Sequence, residues 1–119
     1  MKDPKTSHLL DSLLKCASEC WSCASDCLKE AHVQHMTDCV QADLDCADFC
    51  LTTAKAVACG SQHVEQLLHQ CAAFCKACEA ICRAHPEEHC QHCADVCLQC
   101  MDTCMKFLQV AAEPIPATP

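Results

Sequence analysis

Cysteine occupies the places where an amphipathic helix normally carries its apolar residues. It recurs at Cys16, Cys20, Cys23 and Cys27, then at Cys39, Cys46 and Cys50, with polar residues between. A second run holds Cys71, Cys75, Cys78 and Cys82, followed by Cys90, Cys93, Cys97, Cys100 and Cys104. Steps of three and four return side chains to one helix face, because each residue turns about 100°. Four such stripes predict four helices, over roughly residues 4–31, 34–58, 62–84 and 86–111. Asp3-Pro4 starts the first, and the second begins near Gln34. Gly60-Ser61 ends the second and offers an N-cap to the third. His85-Pro86-Glu87-Glu88 ends the third and opens the fourth, with Pro in its first turn and acids against the dipole. Links this short make neighbouring helices antiparallel. The expected fold is all-α, an up-down-up-down four-helix bundle with a Cys-lined core over residues 1–112. The Pro-rich tail, 113–119, is expected to be disordered.

The stripes repeat. Adding 55 to Cys16, Cys20, Cys23 and Cys27 gives Cys71, Cys75, Cys78 and Cys82. Adding 54 to Cys39, Cys46 and Cys50 gives Cys93, Cys100 and Cys104. The same shift sets Asp43 opposite Cys97, Met36 opposite Cys90 and His35 opposite His89. Two helical hairpins therefore read as copies about a pseudo-two-fold axis. Asp43 is the break in the thiol ladder, while Met36 keeps a sulfur where its counterpart has a thiol. Cys59 points about half a turn away from the stripe of its helix and reads as a small residue near a helix end.

Composition sharpens the picture. Of the 119 residues, 17 are Cys and 17 are Ala, which leaves little hydrocarbon for an ordinary core. The net charge of −8 and the scattered basic residues exclude a nucleic-acid backbone binder. No apolar run is long enough to span a membrane. The polar start, Met1-Lys2-Asp3-Pro4-Lys5, carries no apolar signal core, so a cytoplasmic chain is expected. In a reducing compartment many thiols argue for metal rather than disulfides. No enzyme is expected, since a nucleophilic Cys needs its own base and orienting group around an open pocket.

The metal follows from geometry and charge. Cys pairs spaced by three intervening residues have Cβ atoms about 5–6 Å apart. Near-linear coordination of one ion needs sulfurs about 4.5 Å apart, at a metal–sulfur bond near 2.3 Å. Soft thiolates favour Cu(I), with zinc the main competitor. One bridging thiolate per Cu(I) leaves the core neutral, whereas zinc on four thiolates leaves about −2 per buried site. Multiple Cu(I) ions per chain are therefore expected. A zinc or general thiol–metal buffer stays open, as does a disulfide or iron–sulfur redox protein.

The runs Cys16-x3-Cys20-x2-Cys23-x3-Cys27, Cys71-x3-Cys75-x2-Cys78-x3-Cys82 and Cys90-x2-Cys93-x3-Cys97-x2-Cys100-x3-Cys104 resemble the Cys-rich four-helix-bundle copper storage proteins. The resemblance covers about residues 5–111 and is to the cytosolic branch of that family. It implies Cu(I) held inside the bundle as thiolate-bridged clusters, and a homotetramer. Departure from a full ladder at Asp43 puts one copper position in doubt. A cytosolic copper chaperone or a small thiol is the candidate deliverer.

Histidine and methionine suggest a direction. His35, Met36, His85 and His89 gather where the first and third helices turn back, at the end of the thiol stripes. At the other end the stripes continue as Leu9, Leu13, Val57, Val64, Leu67, Leu68 and Leu108. One mouth is thus polar and the other plugged with hydrocarbon. Imidazole and thioether both accept Cu(I), so the ion is expected to pass at the His mouth. The competing reading is that loop histidines are simply solvated. His8, His32, His63, His69 and His92 are expected to face outward. Met101 and Met105 are expected to pack beside the ladder, and Trp21 and Phe49 to cover helix or subunit contacts.

Overall fold

The computed structural model describes residues 3–112, with side-chain surroundings through residue 109. The expected tail, 113–119, lies outside the described residues. Four α-helices form: α1 (Pro4–Leu28), α2 (Thr37–Cys59), α3 (Val64–Arg83) and α4 (Glu88–Ala112). No described helix is long and apolar enough to cross a membrane.

Caps fix the helix ends. Asp3 is the N-cap of α1, its side chain accepting from the Thr6 N–H at 2.9 Å, with Pro4 following at the first helical position. α2 ends in a Schellman turn. Gly60 sits at φ 68°, Ser61 N–H donates to Ala56 O at 2.9 Å, and Gly60 N–H donates to Val57 O at 3.3 Å. A left-handed residue is needed there, and Gly takes that conformation without a Cβ clash.

The boundaries differ from the sequence reading in four places. α1 stops at Leu28, three residues early, because Lys29 and Glu30 close onto Asp26 O and Cys27 O in 3-10 fashion. The second helix does not start at Gln34; Val33–His35 forms a separate 3-10 turn, and α2 begins at Thr37. Ser61 does not cap α3 directly. Its Oγ accepts from the His63 N–H at 3.1 Å, and α3 starts one residue later. Pro86 likewise falls in the turn before α4 rather than in its first turn.

Each helix packs on two neighbours, α1 and α3 each lying between α2 and α4. Thiol contacts show the neighbours are antiparallel. Late α1 meets early α2 at Cys23–Cys39, early α2 meets late α3 at Cys39–Cys82, and late α2 meets early α3 at Cys50–Cys71. The buried core is this ladder of thiols, lightly supplemented by Ala17, Ala47, Ala94 and a few larger residues.

Candidate metal centre

Sixteen cysteines are buried and free, and Cys59 is exposed at the last residue of α2. The stripes meet along the bundle axis with sulfur–sulfur distances of 3.7 Å for Cys20–Cys97, Cys46–Cys75 and Cys27–Cys90. Cys50–Cys71 is 3.8 Å, Cys16–Cys97 is 3.9 Å, and Cys39–Cys82 is closer at 3.1 Å. Four-residue groups form wherever stripes from different helices converge. Cys16, Cys46, Cys50 and Cys75 are one; Cys16, Cys20, Cys46 and Cys97 another; Cys20, Cys78, Cys93 and Cys97 a third. Toward the His end lie Cys23, Cys27, Cys39 and Cys90, and a group in which Asp43 joins Cys23, Cys39 and Cys82. Within each, the ligand atoms lie within 4.8 Å of one another. That spacing accommodates two metal–sulfur bonds of about 2.3 Å each, so the sulfurs can hold soft ions without repacking the helices.

These thiols sit in a dry environment. Burial pushes the Cys27 thiol up to about 12 and the Cys90 thiol up as well. Contact with Cys23 and Cys82, then burial, raises Cys39. A buried thiol that is hard to ionise gives up its proton when a cation arrives to share its charge, so metal binding at such thiols releases protons.

Asp43 fills the break in the ladder with oxygen. Its Oδ1 accepts from Cys93 at 3.2 Å, Cys78 at 3.3 Å and Cys82 at 3.4 Å, and its Oδ2 accepts from Cys39 at 3.8 Å. Burial raises its pKa, and the thiol donors partly oppose the rise. The buried polar side chains among the described residues are Asp43 and Thr53. Thr53 is satisfied locally, its hydroxyl donating to Phe49 O at 2.7 Å.

His89, in the first turn of α4, points Nδ1 at three sulfurs: Cys90 at 3.5 Å, Cys23 at 3.7 Å and Cys27 at 3.9 Å. Its Nε2 is 3.0 Å from Glu30 Oε1. Met36 is fully buried in the same core at the start of α2. His85 stands at the rim, its Nε2 2.9 Å from Asp38 Oδ1 and its Nδ1 3.8 Å from Glu87.

His35 is not brought to the thiols. It is exposed, its ring centroid 6.1 Å from that of His32, because the 3-10 turn before α2 takes it off the stripe. His8, His32, His63, His69 and His92 are exposed, His92 lying 3.2 Å from Glu19. Phe49 stacks on Phe74 across α2 and α3 with centroids 4.5 Å apart. Trp21 is about half exposed. Met101 is partly buried against the core, and Met105 is exposed.

At the far end the ladder stops under Leu9, Leu13 and Leu68, all fully or nearly fully buried, with Leu108 and Val57 beside them. Val64 and Leu67, expected in the same plug, are only half buried.

Sequence reasoning missed the two carboxylates that hold the rim histidines, Glu30 and Asp38. Each is a single acid beside a helix end, a pattern shared by solvated loop residues. Their distance in sequence from their partners, 59 and 47 residues, leaves no local signal.

The copper storage protein family, Csp, matches residues 2–109. The Cu(I)-bound copper storage protein BsCsp3 superposes with a TM-score of 0.82 at 30% identity, over 86% of this chain and 96% of that one. A cytosolic copper storage protein from Streptomyces lividans, loaded with five coppers, gives a TM-score of 0.85 at 33% identity, over 88% and 92%. The uncharacterized cysteine-rich protein YhjQ of Bacillus subtilis is 33% identical over 68 residues, which is 57% of this chain. That match spans 63% of the length of the Bacillus relative.

Proposed function

The chain belongs to the copper storage protein family, and on that premise we propose that it stores Cu(I) on the sixteen core thiols. The observation that carries the reading is the sharing of sulfurs. Cys16, Cys20, Cys23, Cys39, Cys46 and Cys97 each belong to two of the converging groups. Shared sulfurs suit bridging thiolates, in which each Cu(I) takes two sulfurs and each sulfur serves two ions. Copper and thiolate then balance in charge. Zinc on four thiolates would leave about −2 per site, and burying uncompensated charge costs several kcal/mol.

Met36 and the Nδ1 of His89 are the ligands an arriving ion meets, with His85 and His35 on the outer rim. Asp43 is an oxygen ligand or proton acceptor within the ladder. A storage role fits better than a catalytic one, because the thiols line the core as one shared set and His89 and Asp43 each face several of them rather than serving a single nucleophile. A reducing cytoplasm suits the free thiols, and a copper chaperone or a small thiol suits as deliverer. The homotetramer is supported by apolar side chains left on the outside of the bundle. Leu14, Trp21 and Leu28 lie seven residues apart on α1, and Leu98 and Met105 do the same on α4. The storage unit is taken as residues 1–112, with 113–119 outside it.

Anaerobic titration with Cu(I), with bound metal counted by native mass spectrometry, tests the reading. On the order of one Cu(I) per core Cys is expected. Saturation at about four ions per chain would point instead to sites of four thiolates each.

A further inference from the structure

The turn after α1 brings a carboxylate to the histidine that faces the thiols. Glu30 N–H donates to Cys27 O at 3.2 Å, so the residue is anchored directly beyond a mouth cysteine. From there its Oε1 reaches the His89 Nε2 at 3.0 Å. Both side chains are mostly covered, at 29% and 20% exposure. A carboxylate only accepts hydrogen bonds, so Nε2 carries the ring proton and donates it. In the neutral ring the lone pair then belongs to Nδ1. That is the nitrogen within 3.5–3.9 Å of Cys90, Cys23 and Cys27.

We propose that Glu30 is the positioning residue of the mouth: it fixes His89 in the tautomer whose free nitrogen faces the thiols. The proposal rests on the reading of the His end as the path for Cu(I). A ring proton on Nδ1 would close that nitrogen to an arriving ion. The carboxylate on the far side of the ring holds the proton at Nε2. It also locks the ring plane and makes Nδ1 a stronger donor to a metal. His35, which occupies the equivalent repeat position, is instead exposed on the surface.

The test compares wild type with Glu30→Gln, Glu30→Ala, His89→Ala and the Glu30→Ala/His89→Ala double variant. Two readouts are needed. Long-range proton–nitrogen NMR of the metal-free protein reads the His89 tautomer, and stopped-flow absorbance of copper–thiolate formation reads the loading rate. Wild type should show Nε2 protonated and Nδ1 free. Glu30→Gln keeps an acceptor oxygen and should retain both the tautomer and most of the rate. Glu30→Ala should lose the single tautomer and load about tenfold more slowly, the usual scale for removing the partner of a ligating histidine. The double variant should be no slower than His89→Ala alone.

A Glu30→Ala protein with wild-type tautomer and rate overturns the proposal. So does a Gln variant as slow as the Ala variant with its tautomer intact, since the loss would then not lie in the hydrogen bond. If His89→Ala itself loads at the wild-type rate, the path through this mouth falls, and the role of Glu30 with it. If His89→Ala is slow while Glu30→Ala is unchanged in both readouts, only the role of Glu30 falls.

Discussion

At one end of the bundle the thiol stripes run out into His89, Met36 and a rim of carboxylates; at the other they run out under Leu9, Leu13, Leu68 and Leu108. Between them the ladder is thiol throughout except at Asp43, so the difference between the ends lies in what terminates it. Hydrocarbon excludes water and offers a soft ion no ligand. Imidazole and thioether bind Cu(I) without first losing a thiol proton, and His89 and His85 are each held by a carboxylate, Glu30 and Asp38. In a core where Cys and Ala replace most large residues, the leucine end carries much of the burial that holds the helices together. The mouth can therefore be adapted to traffic at modest cost to the fold.

The largest expected effect separates the two ends by stability. Leu13→Ala removes a fully buried side chain and should lower the stability of the metal-free protein by about 2–5 kcal/mol. His89→Ala removes a partly exposed polar tie and should cost about 1 kcal/mol or less. Denaturant unfolding of both variants measures the gap. Equal losses would break the comparison, since the mouth would then be as structural as the plug.

The next effect should span both ends. Cu(I) binds the folded chain, so at a free concentration about a hundredfold above the dissociation constant a single site adds about 2.7 kcal/mol. Thermal unfolding with and without copper should show a large upward shift, reversed by a strong Cu(I) chelator. The metal-free chain should still be helical by circular dichroism, because its caps and leucine end do not depend on metal. A metal-free chain without helix would mean that copper drives folding.

The four helices and the axial thiol ladder were legible because they rest on periodicity. Three- and four-residue steps repeated over twenty residues determine a face whatever the exact ends. The ends themselves were not. Lys29–Glu30 closes in 3-10 fashion and Val33–His35 forms its own turn, and both depend on a short link rather than on any pattern. The shift moved His35 off the stripe while leaving Met36 and Cys39 on it. Asp43 was visible as the broken position, but its three thiol donors on one oxygen come from α3 and α4 and follow only from packing. Glu30 was invisible for the same reason, since its meaning comes from a histidine on another helix.

A smaller effect should appear in the pH dependence, again different at the two ends. Burial raises the Asp43 pKa in the folded state from the ordinary 3.8. The folded chain therefore keeps a proton there that the unfolded chain has released. Metal-free stability should fall as pH climbs from about 3.8 through the raised value, at up to about 1.4 kcal/mol per unit. Asp43→Asn should flatten this slope in unfolding curves taken across the acid range. In the alkaline range Cys27, pushed up to about 12 from 9.0, stays protonated while the unfolded chain ionises. Stability should fall between those values too, and Cys27→Ala should reduce that fall. Leu9 and Leu13 variants should leave both slopes unchanged, because no titrating group lies in the plug.

The most direct measurement is the rate of Cu(I) loading and of removal by a chelator when each end is altered separately. Replacing His35, Met36, His85 and His89 together with Ala should slow both processes while leaving the final copper count almost unchanged, because the core thiols remain. Polar replacements at Leu9 and Leu68, both buried in the plug, should damage packing and open a second path. A quadruple variant that loads and unloads at the wild-type rate, beside leucine variants that change the rate, would contradict passage through the His end.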